Sequence, residues 1–156
     1  MTENSTGVAS KRRKETYTSK QMGDACEMLV AAELTLAGVP ALKAPDYWPG
    51  YDVIAQPLNG DPQRISVKSR TFKRGQAFVT YSGVDSFDWL AIVILPGDGS
   101  DKRRIYLIPR SVADEHVRTY KSKKMVNVRE YRIDEVARKF GTYEDNFRLA
   151  NVGLTI

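Results

Sequence analysis

Apolar and polar positions along the chain follow two different periods, and each change of period marks a change of element. From Ser19 to about Ala37 the apolar residues recur every three or four positions. Met22, Cys26, Leu29 and Leu36 form one stripe, with Ala25 and Ala32 beside it. That spacing predicts a helix, with Ser19 as its N-cap and Gly38 and Pro40 as its stop. After a link through Pro45 and Pro49, Tyr51–Gln56 and Gln63–Ser69 read as short strands. Asn59-Gly60-Asp61 between them is a strong hairpin signal. A third strand is expected at Ala77–Tyr81. Leu90–Leu95 is apolar on both faces and reads as a buried central strand. Pro96-Gly97-Asp98-Gly99-Ser100 is a turn, and Arg104–Ile108 returns as the next strand. Beyond Pro109, Ser111 is placed to cap a short helix through Arg118. Two further short helices are predicted at Ile133–Phe140 and Glu144–Ala150. Helix, then strands, then helices predicts an α/β sandwich around a mixed β-sheet. Residues 1–18 lack hydrophobic periodicity and are expected to form a disordered basic arm ahead of a single domain spanning 19–156.

Composition narrows the setting. With 156 residues, 42% hydrophobic and 28% charged, the chain fits one soluble domain with a real core. The longest apolar stretch, Trp89 to Pro96, is strand-sized and far short of a bilayer span, so no membrane partner is expected. The N-terminus is polar and basic, unlike a secretory signal. A single cysteine, Cys26, excludes an internal disulfide and fits a reducing compartment, so a cytoplasmic location is expected. Cys26 is small and lies on the apolar stripe, which assigns it to the core.

Net charge is +5 and is gathered into runs: Lys11, Arg12, Arg13 and Lys14, then Lys102, Arg103 and Arg104, then Lys121, Lys123 and Lys124. Any one run is ordinary solvated surface, whereas three together point toward nucleic-acid phosphates. His116, the only histidine, supports no metal cluster and reads as a solvated helix residue. Neither a G-x-x-x-x-G-K-[ST] loop nor zinc-ligand spacing is present, so neither a nucleotide cofactor nor zinc chemistry is expected.

Four residues stand apart once helix and hairpin are read together: Glu27, Asp52, Ser66 and Lys68. Singly, Glu27, Asp52 and Lys68 read as a helix-surface glutamate, a loop-capping aspartate and an edge-strand lysine. Gathered on one sheet face, a cation beside two acids demands another reason. Glu33, nearer the stripe, is a reserve acid. Convergence depends on register. A two-residue turn at Asn59-Gly60 pairs Asp52 with Val67 and sends Lys68 to the other face. A three-residue loop, 59–61, pairs Asp52 with Lys68 and Ile54 with Ser66. An odd-length loop or a bulge is therefore required. Tyr47 and Trp48, in the loop before Asp52, are placed to stack on bases or to brace the loop, with core packing expected for Trp48.

This ordered set resembles the PD-(D/E)xK nuclease superfamily, which includes restriction endonucleases and archaeal Holliday junction resolvases, over roughly Gly23 to Pro109. Gly23-Asp24-Ala25-Cys26-Glu27, followed by Leu34 and Gly38, is similar to the resolvase helix and its glutamate. Asp52 follows an aromatic and a glycine. Ile65-Ser66-Val67-Lys68-Ser69 occupies the place of the family's acid, hydrophobic residue and lysine. Val84-Asp85-Ser86-Phe87 and Tyr106-Leu107-Ile108-Pro109 also look like related nuclease-like domains.

The resemblance implies a restriction-endonuclease-like α/β core and Mg²⁺-dependent hydrolysis of DNA, with Mn²⁺ able to substitute. By the same resemblance, Asp52 is the principal metal ligand, the Val67 carbonyl supplies another, and Glu27 contacts the metal directly or through water. Lys68 orients the attacking water or stabilises developing negative charge. Ser66 departs from the pattern, because the family usually has a carboxylate there. Its hydroxyl adds no charge and should weaken metal binding, so the alternative is a non-cutting DNA-binding or accessory domain. Arg70, Lys73 and Arg74 are placed to grip phosphates beside the cleft, with Lys11, Arg12, Arg13 and Lys14 as an arm along the backbone. A homodimer follows by analogy, since duplex cleavage needs two strands cut.

Overall fold

Residues 16–72, 78–97 and 102–151 are described by the computed structural model. They fold in the order α1 (Ser19–Leu36), β1 (Ala41–Lys43), β2 (Val53–Ala55), β3 (Gln63–Thr71), β4 (Phe78–Ser82), β5 (Trp89–Leu95), β6 (Arg104–Pro109), α2 (Arg110–Glu115), β7 (Val128–Arg132), α3 (Ile133–Phe140) and a 3-10 turn at Gly141–Tyr143. The sheet order is β1-β2-β3-β5-β6, with β4 and β7 forming a separate two-stranded ribbon. Only β3 and β5 run parallel; the other pairs are antiparallel. Parallel neighbours need a crossover, usually a helix. Here β4 carries it, leaving the main sheet to pair with β7.

Two apolar layers sandwich the sheet. On one face Cys26, Val30 and Leu34 of α1 pack with Val53, Ile65, Val67, Ala91 and Leu107. On the other, Leu90, Ile92 and Ile108 meet Val79, Tyr131, Val136 and Phe140 from the ribbon and α3. β5 lies between both layers, which explains its run of apolar residues. The mixed sheet flanked by helices agrees with the architecture expected from the sequence.

Several elements differ in detail. The N-cap of α1 is Thr18, not Ser19. Its hydroxyl accepts from the Gln21 amide at 3.1 Å while the Gln21 side chain accepts from the Thr18 amide at 2.9 Å, a reciprocal capping box. The buried stripe is also rotated. Val30 and Leu34 are fully buried, whereas Leu36 is 83% exposed. Two positions from Leu34, Leu36 lies about 160° away around a helix that turns 100° per residue. Glu27, two turns before Leu34, therefore shares the buried face instead of sitting off it. Complete burial of Val30 and Leu34 stabilises the docked helix by roughly 1.5–3 kcal/mol each, and so fixes where Glu27 stands.

No helix spans Glu144–Ala150. Glu144 bridges to Tyr106, the Asp145 amide donates to the Ile105 carbonyl at 2.8 Å, and the Asn146 side chain donates to the Leu107 carbonyl at 3.2 Å. This segment spends its hydrogen bonds covering the outer edge of β6. α2 stops at Glu115, short of Arg118, and contains Ser111 within it, with Pro109 at its N-cap. Strands β1 and β7 are additions to the expected set. The arm residues up to 15, with Lys11, Arg12, Arg13 and Lys14, lie outside the described residues, as do Lys73 and Arg74. Among the described residues no helix is long and apolar enough to cross a membrane.

Candidate active site

Asp52 stands just before β2, where the regular ladder with β3 ends. Pro57 and Pro62 flank the hairpin connection and offer no amide for a ladder bond. The Gln56 side chain closes the loop by donating to the carbonyls of Pro57 and Gly60, both at 2.9 Å. β2 and β3 then pair Val53 with Ile65 and Ala55 with Gln63. The register ends at Val53 opposite Ile65, and the Asp52 amide reaches the carbonyl of that same Ile65. Asp52 therefore lies outside the ladder and is not paired with Lys68 as a three-residue loop would have placed it. The connection, residues 56–62, is odd in length, but this bulge-like step at Asp52 interrupts the alternation, so loop parity alone does not set the face that Asp52 takes.

The Asp52 backbone is held from both sides. Its amide donates to the Ile65 carbonyl at 2.9 Å, and its carbonyl accepts from the Ala44 amide at 2.7 Å. Its carboxylate accepts from the Val67 amide at 2.8 Å. The side chain is thereby locked at the exposed edge of β3, beside the Val67 peptide.

Gly50 makes this entry possible. It has φ +86, and a Cβ there would stand 3.0 Å from the Ser86 amide nitrogen. Gly50→Ala is expected to destabilise the fold by about 1–3 kcal/mol through left-handed strain and this collision. A thermal melt checks it: a drop of several degrees is expected, and an unchanged midpoint would show that the loop can move aside freely.

Glu27 arrives from α1, with a side chain 17% exposed. Burial pushes its carboxyl up to about 7, helped by the charge and hydrogen-bonding proximity of Asp52 and opposed by Lys43. The two carboxyl groups are thus near enough to compete for one proton. Lys43 Nζ lies 3.4 Å from Glu27 and 2.6 Å from Asp46. Lys20 Nζ binds Asp24 at 3.0 Å and Asp46 at 3.1 Å. Asp24, Glu27 and Asp46 have oxygens within 4.8 Å of one another, but the two ammonium groups already compensate that cluster. Glu27 with Asp52 is the better donor set for a hard divalent cation: two carboxylates, one of them retaining a proton that a cation would displace.

The remaining residues follow from alternation. Ile65 and Val67 face α1, so Arg64, Ser66, Lys68 and Arg70 take the opposite face of β3. Ser66 is buried, at 3% exposure, and Lys68 is half-buried. Lys68 makes no ion pair among the described residues, so its ammonium is not consumed by either carboxylate. Arg70 is anchored to the Phe78 carbonyl at 2.9 Å. Arg64 is clamped by Asp88 through two contacts of 3.2 Å. Glu33 joins neither the acidic cluster nor any ion pair among the described residues.

Sequence reasoning passed over Lys43 and Arg64. Lys43 lies on a strand of three residues, too short for a pattern. Arg64 was legible, because Arg64-Ile65-Ser66-Val67-Lys68 alternates polar with apolar. Trp48 reverses its expectation: it is 44% exposed and belongs to neither core layer.

The mixed five-stranded sheet packed between α1 on one face and the β4–β7 ribbon with α3 on the other is the restriction-endonuclease-like nuclease fold. The bacterial homing endonuclease I-Ssp6803I is similar in structure, with a TM-score of 0.56 at 18% identity, over 85% of this chain and 90% of that one. The Holliday junction resolvase Hjc of Archaeoglobus fulgidus aligns with a TM-score of 0.42 at 12% identity, over 69% of this chain and 88% of its own. No protein-family model matches the chain, and no curated protein matches it by sequence.

Proposed function

We propose that this chain is a divalent-cation-dependent endonuclease that hydrolyses DNA phosphodiester bonds. The observation that carries the reading is the closeness of Glu27 and Asp52, with the Asp52 carboxylate bonded to the Val67 amide, next in sequence to Lys68, which makes no ion pair among the described residues. Asp52, Glu27 and the Val67 carbonyl would hold Mg²⁺, or Mn²⁺ in its place. When bound, the cation supplies Lewis-acid charge neutralisation for the phosphodiester. Lys68 holds a positive charge where the reacting phosphate becomes more negative, and orients the attacking water. That water forms a new P–O bond as the bridging P–O bond breaks, leaving a phosphate monoester end and a hydroxyl end. Arg64 and Arg70 neutralise flanking phosphates, so DNA affinity should fall steeply with added salt. The nuclease fold and the net charge of +5 support DNA as the substrate class, and the similar I-Ssp6803I is itself an endonuclease.

Lys68→Ala tests the assignment. Nicking in Mn²⁺ is expected to fall by about a hundredfold or more, while DNA affinity measured in chelator changes only a few-fold. Equal nicking by this variant would remove Lys68 from the chemistry. Ser66 favours a second reading, because it leaves the site one negative charge short. On that reading the domain binds DNA equally well with and without chelator, and no nicking accompanies either cation.

A further inference from the structure

A cleft of about 600 Å³ is walled chiefly by Tyr47, Trp48, Tyr51, Arg64, Asp85 and Ser86, and Tyr51 is the residue before Asp52. Its aromatic wall is unusual in being both exposed and ordered. Tyr47 is 83% exposed and Trp48 44% exposed, so two consecutive large rings gain little from folding. Yet they are braced. The Trp48 indole N–H donates to the Tyr51 hydroxyl. The Tyr47 and Trp48 rings lie 6.3 Å apart and the Trp48 and Tyr51 rings 6.5 Å apart. The opposite wall is equally fixed. Arg110 donates to the carbonyls of Gly83 at 2.9 Å and Asp85 at 2.5 Å, and Gly50 lies directly against Ser86. Exposed apolar faces held in advance suit a flat ligand, because little ordering entropy remains to be lost on binding.

The surroundings name the ligand. Arg64 lies in the cleft wall and shares one face of β3 with Lys68 and Arg70, a cation roughly every 7 Å or its multiple along an extended strand. Arg64 is paired with Asp88 but keeps 42% of its side chain exposed, so it remains within reach of an anionic backbone at the cleft. Asp85 and Ser86 add hydrogen-bonding groups to the same lining, suited to a base edge. Bases inside a continuous duplex are stacked on their neighbours and cannot offer a face to Tyr47. We propose that the cleft receives an unpaired nucleobase from the strand whose phosphate lies at Asp52. The preferred substrate is then DNA with an unpaired nucleotide beside the cut, not continuous duplex. This inference rests on the nuclease reading above.

The test is fluorescence anisotropy in chelator, comparing a short labelled duplex with the same duplex carrying a one-nucleotide bulge. The full chain should bind the bulged probe about tenfold or more tightly than the paired one. Tyr47→Ala and Trp48→Ala should each reduce that preference to about twofold, while Tyr47→Phe keeps it. Tyr47 is exposed enough that its truncation leaves the fold intact. Equal affinity for the two probes, or a preference untouched by Tyr47→Ala, overturns the proposal. Because binding is read without cleavage, the two readings separate. Bulge preference without Mn²⁺-dependent nicking upholds the cleft and sinks the nuclease assignment. Nicking of plasmid without bulge preference sinks the cleft alone.

Discussion

Asp52→Asn is expected to abolish cation-dependent cleavage and, in the same protein, to raise the stability of the cation-free fold. Asparagine keeps an oxygen to accept the Val67 amide now bonded at 2.8 Å, so that link to β3 is retained. What disappears is the charge beside Glu27, one of the causes that push that carboxyl up to about 7. Cleavage should fall by about a thousandfold or more, as for the loss of other groups that act as a unit in catalysis. At pH 8, relief of repulsion should stabilise the variant by about 1–2 kcal/mol, a rise of several degrees in a thermal melt. Mn²⁺ should raise the midpoint of the wild-type protein and leave the variant where it was. A variant that melts lower than wild type and still responds to Mn²⁺ would show that Asp52 serves the fold alone.

Glu27 makes the stability of the cation-free protein depend on pH in the direction opposite to ion-paired carboxylates. Its carboxyl titrates near 4.5 when unfolded and about 7 when folded. Between these values the folded state holds the additional proton, so stability declines as pH climbs from about 4.5 to 7 and levels off above. The loss is on the order of 1–3 kcal/mol. Asp46 and Glu144, held below the ordinary carboxylate range chiefly by Lys43 and Arg104, act in a more acidic window, where stability is lost as pH falls. Urea unfolding at pH 5.5 and 8.5 isolates Glu27 when repeated with Glu27→Gln, whose profile should be flatter across that interval. Cation binding should tighten over the same interval, with up to one proton released per ion below pH 7. An identical slope in wild type and Glu27→Gln would contradict the pairing with Asp52.

The architecture was legible where residues repeat a strong pattern. The apolar run from Leu90 to Leu95 declared a strand covered on both faces, whereas the polar face of β3 from Arg64 to Lys68 went unread. The motif order carried Glu27, Asp52 and Lys68 to neighbouring elements, although the register ends at Val53 and leaves Asp52 outside the expected pairing with Lys68. Prolines 57 and 62 set that register by shortening the ladder, a longer-range effect than the Asn59-Gly60 turn signal. α1 was found but rotated, since Leu36 and Leu29 are as apolar as Val30 and Leu34. Only the sheet beneath decides which side is buried. Lys43 was hidden on a strand too short to show a period. The segment after Tyr143 looked helical, but the open edge of β6 took its hydrogen bonds. Trp48 looked like core because tryptophan usually is, and its 44% exposure became legible only beside the cleft.

Conversion of supercoiled plasmid to the open-circular form in Mn²⁺ puts the carboxylate pair to its most direct trial, with wild-type and Asp52→Asn proteins purified identically. The wild-type protein should nick with cation present and cease in chelator, and the variant should do neither. Equal nicking by both proteins, or none by the wild type, would contradict a hydrolytic centre built on Asp52 and Glu27.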